Sequence, residues 1–176
     1  TVTVTGVNDN DADGHKAYNI SLSAEVDIDD PVVSTFAGSG SSGSANGTGT
    51  AASFKNPNGI TTDGTNLYVT DTHNYKIRKI VISTGEVTNF AGSGIWGSTD
   101  ATGTSAEFKY PRGITNDGTN LYVADPRNHR IRKIVISSGV VTTFAGSGAG
   151  TTDATGLSAK FNQPRGITRD GNNLYV

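Results

Sequence analysis

The residues best able to bind a ligand are cations and aromatics at one point of a repeated sequence. Arg112 and Arg165 each follow a proline in the motif Pro-Arg-Gly-Ile. Tyr110 lies just before the first of these motifs, and Trp96, the only tryptophan, lies in the glycine-rich stretch that precedes it. Guanidinium groups bind carboxylates and phosphates, and exposed aromatics bind ring faces. These four residues are the ligand-binding candidates, for an anionic or sugar ligand; the alternative is that they are ordinary surface residues.

Two acid–base pairs recur in the same repeats. Asp71 precedes Lys76 by five residues, and Asp125 precedes Arg130 by the same interval. Each pair is either a ligand site or an ion pair across a tight turn. A feature that recurs with the repeat usually serves the repeated fold, so we predict structural pairs between Asp71 and Lys76 and between Asp125 and Arg130.

An acidic segment near the start of the chain has the spacing of calcium ligands. Asp9, Asp11 and Asp13 alternate and are followed by Gly14, as at the start of a calcium-binding loop. The twelfth position of such a loop needs an acid, and here it is Ile20. Two interpretations stay open, a calcium site and a solvated acidic turn. No other cofactor is expected.

The elements that position these residues are repeats of 54 residues. The motif Phe-Ala-Gly-Ser-Gly begins at Phe36, Phe90 and Phe144. Each complete copy contains four short runs rich in β-branched residues, separated by turn signals such as Asp-Gly and Thr-Gly. A β-sandwich would not repeat its sequence at so fixed an interval. The pattern therefore predicts an all-β fold, a partial β-propeller of four-stranded antiparallel blades.

The repeat also predicts where the blades lie. Blades are expected at residues 57–92 and 111–146, a partial blade at 164–176, and an orphan outer strand at 32–37. Because a propeller closes with about four to eight blades, we expect a fragment whose remaining blades belong to the same chain. The three phenylalanines, and the isoleucines Ile60 and Ile114, are expected in the core.

Antiparallel order places the turn between the second and third strands at the same end as the long loop between blades. The candidate ligand residues should therefore share one face with several cationic turn residues. Those turn residues are His73, Lys76, Arg127, His129 and Arg130.

Charge divides the chain near residue 30. Residues 1–30 carry a net charge of −6, and residues 31–176 carry +4, within a total of −2. Such a step is typical of a domain boundary. Alternating apolar residues in the first segment predict a β-hairpin. No apolar run approaches the ~18 residues of a membrane span, so membrane insertion is not expected.

Three motifs of the second copy resemble the NHL repeat: Pro111–Ile114, Asn120–Asp125 and Asn128–Ile131. The resemblance covers about residues 32–176 and implies a propeller, usually of six blades. The linking pattern, with Ala106-x-Phe108 after Phe-Ala-Gly-x-Gly, is similar to the bacterial form of that repeat. Residues 1–30 resemble the last strands of a Calx-beta-like or cadherin-like β-sandwich module.

These observations favour a non-catalytic binding or scaffold module with a protein or carbohydrate ligand. The resemblances imply a larger bacterial protein, extracellular or at the cell surface. One alternative is a fragment of a propeller enzyme, a metal-dependent lyase or lactonase whose active-site blades lie elsewhere. A second is an RNA-binding NHL propeller, but a balance of +4 without a ladder of stacking aromatics argues against a nucleic-acid partner.

Overall fold

The computed structural model describes Val2–Val4, Ile20–Leu22 and residues 33–176. The chain divides into two units, Thr1–Ser34 and Thr35–Val176. In the first unit, β1 (Val2–Val4) pairs with β2 (Ile20–Leu22) as an antiparallel pair. The calcium-loop candidates Asp9, Asp11 and Asp13 lie outside the described residues, as does most of the predicted sandwich segment.

The second unit is built from antiparallel sheets joined by loops with short 3-10 turns. The strands are β3 (Gly47–Thr48), β4 (Pro57–Thr62), β5 (Asn66–Asp71), β6 (Lys76–Val81), β7 (Glu86–Ala91), β8 (Ile114–Asn116), β9 (Asn120–Asp125), β10 (Arg130–Val135), β11 (Val141–Ala145), β12 (Thr168–Asp170) and β13 (Asn173–Tyr175). Blade 1 has the strand order β7-β6-β5-β4, blade 2 has the order β11-β10-β9-β8, and a third, partial blade pairs β12 with β13. Among the described residues, no helix is long and apolar enough to cross a bilayer.

An aspartate fixes the turn between the first two strands of each complete blade. In blade 2, Asp117 Oδ1 accepts the backbone N–H groups of Thr119 at 2.8 Å and Asn120 at 2.6 Å. Its Oδ2 accepts the hydroxyl of Tyr122 at 2.9 Å. Burial alone would raise the pKa of Asp117, but the donors of Asn120, Thr119 and Tyr122 outweigh it and hold the pKa well below its usual range. Asp63 does the same in blade 1.

The largest hydrophobic core lies between blades 1 and 2. Tyr68 and Ile77 of blade 1 pack in one cluster with Ile114 and Leu121 of blade 2 and with Phe108 from the loop between them. The burial of Ile114, which is 6% exposed, confirms the sequence prediction for that position. Blade 2 and the loop before it thus cover one face of blade 1, while a smaller cluster packs Val69 and Val87 of blade 1 against Ala52 of the preceding loop.

The equivalent expectation for Ile60 is wrong, because it is 59% exposed. Ile114 packs beside Gly59 of the preceding blade, whereas no blade of the described residues lies on the matching side of blade 1. Phe36 and Phe144 are exposed at 46% and 45%, also against expectation. Phe90 fits it better, since it packs on the core between blades 1 and 2 and lies 5.1 Å from the ring of Tyr68.

The long glycine-rich loop has more structure than the sequence predicted. Gly47–Thr48 adds a fifth strand, β3, to the outer edge of blade 1, with Thr48 opposite Glu86. In blade 2, Thr102 makes the same kind of bridge to Val140. The loop that precedes a blade thereby covers the unpaired edge of its outermost strand, which would otherwise recruit other chains.

The predicted orphan strand at 32–37 is not observed in its described part, residues 33–37. A β-strand needs a hydrogen-bonded partner, and within the described residues no strand lies beside this segment. It leads instead into the loop, where Gly38 donates its N–H to Gly49 O at 3.1 Å.

Candidate ligand-binding cleft

An open cleft of about 590 Å³ lies at one end of the blades, where blade 1 meets blade 2 and blade 2 meets the partial blade. It brings together three of the four predicted ligand residues, Tyr110, Arg112 and Arg165. We call this feature the basic cleft. Its remaining lining residues are His73, Lys109, Pro126, Arg127, His129 and Gln163.

The sequence did not single out Lys109 and Gln163. Lys109 precedes Tyr110, and Gln163 precedes Pro164. Only the folded loop brings these two residues to the cleft. Of the five cationic turn residues expected on this face, His73, Arg127 and His129 line the cleft. Lys76 and Arg130 do not line it.

The charge of the basic cleft is one-sided. Four of its lining residues are Lys109, Arg112, Arg127 and Arg165, and no carboxylate lines it among residues 33–176. The ion pairs found in that part of the chain involve Arg78 and Arg132 and none of these four cations. Uncompensated cations in a concave surface produce a positive potential that attracts anions.

A repeated backbone conformation brings one side chain into each seam between repeats. Asn56, Tyr110 and Gln163 all precede the motif proline and have φ values of 51°, 60° and 55°. Asparagine adopts this left-handed region readily, whereas most other side chains raise the energy by roughly 1–2 kcal/mol. A tyrosine at 110 is therefore not explained by the needs of the backbone.

The side chain of Tyr110 completes an aromatic corner at the seam between blades 1 and 2. Its ring lies edge-on to His73 and to Tyr75, with ring centroids 5.3 Å and 5.1 Å away. Tyr75 donates its hydroxyl proton to the Tyr110 hydroxyl at 3.3 Å. This hydrogen bond, with a smaller effect of burial, raises the pKa of Tyr75. At the next seam, His129 Nδ1 accepts the backbone N–H of Gln163 at 3.2 Å.

Trp96, the fourth candidate, stands beside the cleft and contacts it through Lys109. The Lys109 ammonium lies 4.5 Å from the centroid of the indole ring, in a cation–π contact. The indole is 59% exposed. The backbone of Trp96 bridges to Phe108 in the same way that Ser42 bridges to Phe54 in the first repeat. The loop therefore folds without a large side chain at this position.

The predicted pairs of Asp71 with Lys76 and of Asp125 with Arg130 are wrong, because each aspartate pairs with a different basic residue. Asp71 pairs with Arg78 at 2.9 Å and Asp125 pairs with Arg132 at 3.1 Å, and all four side chains are fully buried. Lys76 and Arg130 do lie opposite these aspartates in the strand register.

The physical reason is the number of acceptors to be satisfied. Arg132 donates to Asp125 and to the backbone oxygens of Glu107 and Thr99 at 2.8 and 3.1 Å, and it pairs with Asp100 at 2.6 Å. An arginine fork can reach all of these at once, whereas an ammonium has three donors. The sequence signal was an arginine at the same place in the repeated motif Ile-Arg-Lys-Ile, at Arg132 and again at Arg78.

This buried arginine positions the cleft. Asp125, which Arg132 holds through Oδ2, accepts the backbone N–H of Lys109 at its Oδ1, at 2.8 Å. Asp71 does the same for Lys55 at 2.7 Å in blade 1. The buried pair thus fixes the backbone from which Lys109 reaches both the cleft and Trp96.

No family model matches the chain. NHL repeat-containing protein 2 of Gallus gallus is 33% identical over 110 residues, which are 61% of this chain and 15% of that protein. The chain thus spans about a seventh of this relative's length.

Two solved structures from Bacteroides thetaiotaomicron share the fold. One is a structural-genomics protein, 33% identical with a TM-score of 0.55, over 60% of this chain and 28% of the other. The second is an auxiliary nutrient binding protein, 26% identical with a TM-score of 0.56, over 63% and 32%. The Calx-beta or cadherin-like resemblance of residues 1–30 finds no support in these comparisons. The repeats and the blades show that residues 35–176 are part of a β-propeller, and the likeness to NHL repeat-containing protein 2 supports repeats of the NHL type.

Proposed function

We propose that this propeller segment is a non-catalytic binding module whose basic cleft receives an anionic ligand. The observation that carries the proposal is the set of four cations that line one cleft without a carboxylate among the described residues. Charged hydrogen bonds from arginine to a carboxylate or phosphate are among the stronger polar contacts in proteins.

The arrangement of the cleft supports recognition by positioned groups. Arg112 and Arg165 occupy the same position of successive repeats, shortly before the first strand of each blade, so they present two guanidinium groups from neighbouring blades. A ligand with two or more anionic groups would gain from both at once. The name of the Bacteroides relative, an auxiliary nutrient binding protein, is in keeping with a binding role.

We further propose that the module belongs to a larger bacterial protein that acts outside the cell or at its surface. The small share of its relatives that the chain spans supports the first part. Accessibility of the module to added protease on intact cells would test the second part.

The binding proposal is tested by calorimetric titration with citrate and inorganic phosphate. We expect citrate to bind, with an affinity that falls as ionic strength rises. Arg112→Gln and Arg165→Gln should each weaken citrate binding roughly tenfold, the value for loss of one charged hydrogen bond.

Lys160→Gln is the matched control, because Lys160 is an exposed cation that does not line the cleft. It removes the same charge and should leave the affinity nearly unchanged. Equal losses in all three variants would mean that net charge alone attracts the anion. That result, or no binding of either anion at millimolar concentration, would contradict the proposed function.

A further inference from the structure

The basic cleft does not account for Trp96, which stands outside it with an exposed ring. We infer that the ligand is an acidic oligosaccharide that extends from the basic cleft onto Trp96. Its carboxylates would meet the cleft cations, and one sugar ring would pack on the indole. This inference rests on the proposed function and names the chemical class of its ligand.

The first argument is that the fold does not need the indole. Trp96, Ser42 and Ala149 occupy the same position of three successive loops, and each makes the same parallel bridge to the phenylalanine that follows. Serine and alanine therefore support this loop equally well. Trp96 and its neighbour Ile95 are 59% and 65% exposed, so together they form apolar surface that a ligand can contact.

The second argument is continuity between the ring and the cleft. The Lys109 ammonium lies 4.5 Å from the indole centroid, and Lys109 also lines the basic cleft with Arg112. A positive charge therefore lies over one face of the indole, and a sugar ring would pack on the exposed remainder. This order of groups, a ring platform followed by cations, matches a chain of sugars that carry carboxylates.

The third argument concerns a carboxylate near the platform. Glu107 lies against Gly97, the residue after Trp96, where a Cβ on that glycine would clash with it. Its Oε2 accepts the Thr99 hydroxyl at 2.6 Å. Sugar hydroxyls can donate hydrogen bonds to such a carboxylate, so it would hold a ring whose hydroxyl groups face it.

The aromatic residues also favour a sugar over a nucleic acid. Proteins that bind single strands usually stack successive bases on several rings. Tyr75 and Tyr110 instead lie edge to face with each other, at an interplanar angle of 88°. Among the described residues that surround the cleft, Trp96 is the exposed ring.

The test compares four probes by calorimetry: tetragalacturonate, neutral maltotetraose, citrate and a short oligothymidylate. The proteins are the wild type, Trp96→Ala, which copies the residue of the third repeat, and Arg112→Gln. We expect tetragalacturonate to bind more tightly than citrate, and maltotetraose to bind weakly. Trp96→Ala should weaken tetragalacturonate binding about tenfold and leave citrate unchanged, while Arg112→Gln weakens both.

The possible failures are distinguishable. If citrate binds and is weakened by Arg112→Gln, but tetragalacturonate binds no more tightly than citrate or is insensitive to Trp96→Ala, this inference is overturned and the proposed function stands. If neither anion binds, the proposed function itself fails. Oligothymidylate binding that is the tightest of the four and depends on Trp96 would identify a nucleic-acid ligand and overturn the acidic sugar.

Discussion

The buried arginine of blade 2 offers the sharpest test of how the fold supports the cleft. Arg132 is completely buried and donates to Asp125, Asp100 and two backbone oxygens, and its guanidinium lies 5.2 Å from the Phe108 ring centroid. Arg132→Met keeps an unbranched apolar stem up to about the Nε position and removes every one of these donors. It leaves the Asp125 carboxylate buried without its cation, which typically costs about 3–5 kcal/mol.

With a urea dependence of about 2 kcal/mol per molar, a loss of that size lowers the unfolding midpoint by roughly 2 M. Trp96 fluorescence is a suitable signal, because Arg132 also binds the Thr99 carbonyl of the loop that carries the indole. Arg132→Lys should fall between the wild type and Arg132→Met, since it keeps the charge with fewer donors.

The double variant Arg132→Met with Asp125→Asn separates the pair from simple packing. Replacing both partners removes the uncompensated charge, so it should be less destabilised than the sum of the two single variants, with a coupling energy of about 1–3 kcal/mol. A urea midpoint for Arg132→Met within 0.5 M of the wild type corresponds to a loss of less than about 1 kcal/mol in the free energy of unfolding. That result would refute the view that this arginine holds the loop.

Three further predictions concern neighbouring blades, turns and the core, each checked by urea unfolding. Gly113→Ala should destabilise strongly, because the new Cβ would lie 2.5 Å from the Arg165 carbonyl oxygen, whereas Gly166→Ala, which has open space, should be near neutral. Ile114→Ala should lower stability by about 2–5 kcal/mol, and the same change at the exposed Ile60 by less than about 1; similar values would contradict the inter-blade core. The pKa of Asp117 is lower in the folded state than in the unfolded state. Its contribution to the free energy of unfolding is therefore complete above the unfolded pKa of about 4, and it is lost as the pH falls toward the folded pKa. The wild type should therefore lose stability between pH 5 and 2 more steeply than Asp117→Asn, and parallel slopes would refute this.

Sequence periodicity was sufficient for the architecture because each repeat carries its own turn signals. The Asp117 turn and the strands that flank it lie where the pattern predicted them. What the pattern could not supply was the environment of each copy. Ile60 and Ile114 are the same residue at the same repeat position, and only the presence of a preceding blade decides which is buried.

The candidate cleft was predicted in part for a similar reason. Antiparallel order correctly placed Tyr110 and Arg112 on one face with His73 and Arg127. Sequence spacing suggested Lys76 as the partner of Asp71, since the two face each other across the turn. It could not show that Arg78, two residues further along the strand, points into a buried set of acceptors that only a guanidinium can satisfy.

The left-handed residue before each motif proline has a consequence for how such proteins diversify. The same backbone accommodates asparagine at 56, tyrosine at 110 and glutamine at 163, while the motif glycines Gly59, Gly113 and Gly166 stay constant. Substitution at these positions can therefore change the chemistry offered at one seam without disturbing the next. In protein design, the side chain at each of these positions could be chosen separately, one repeat at a time.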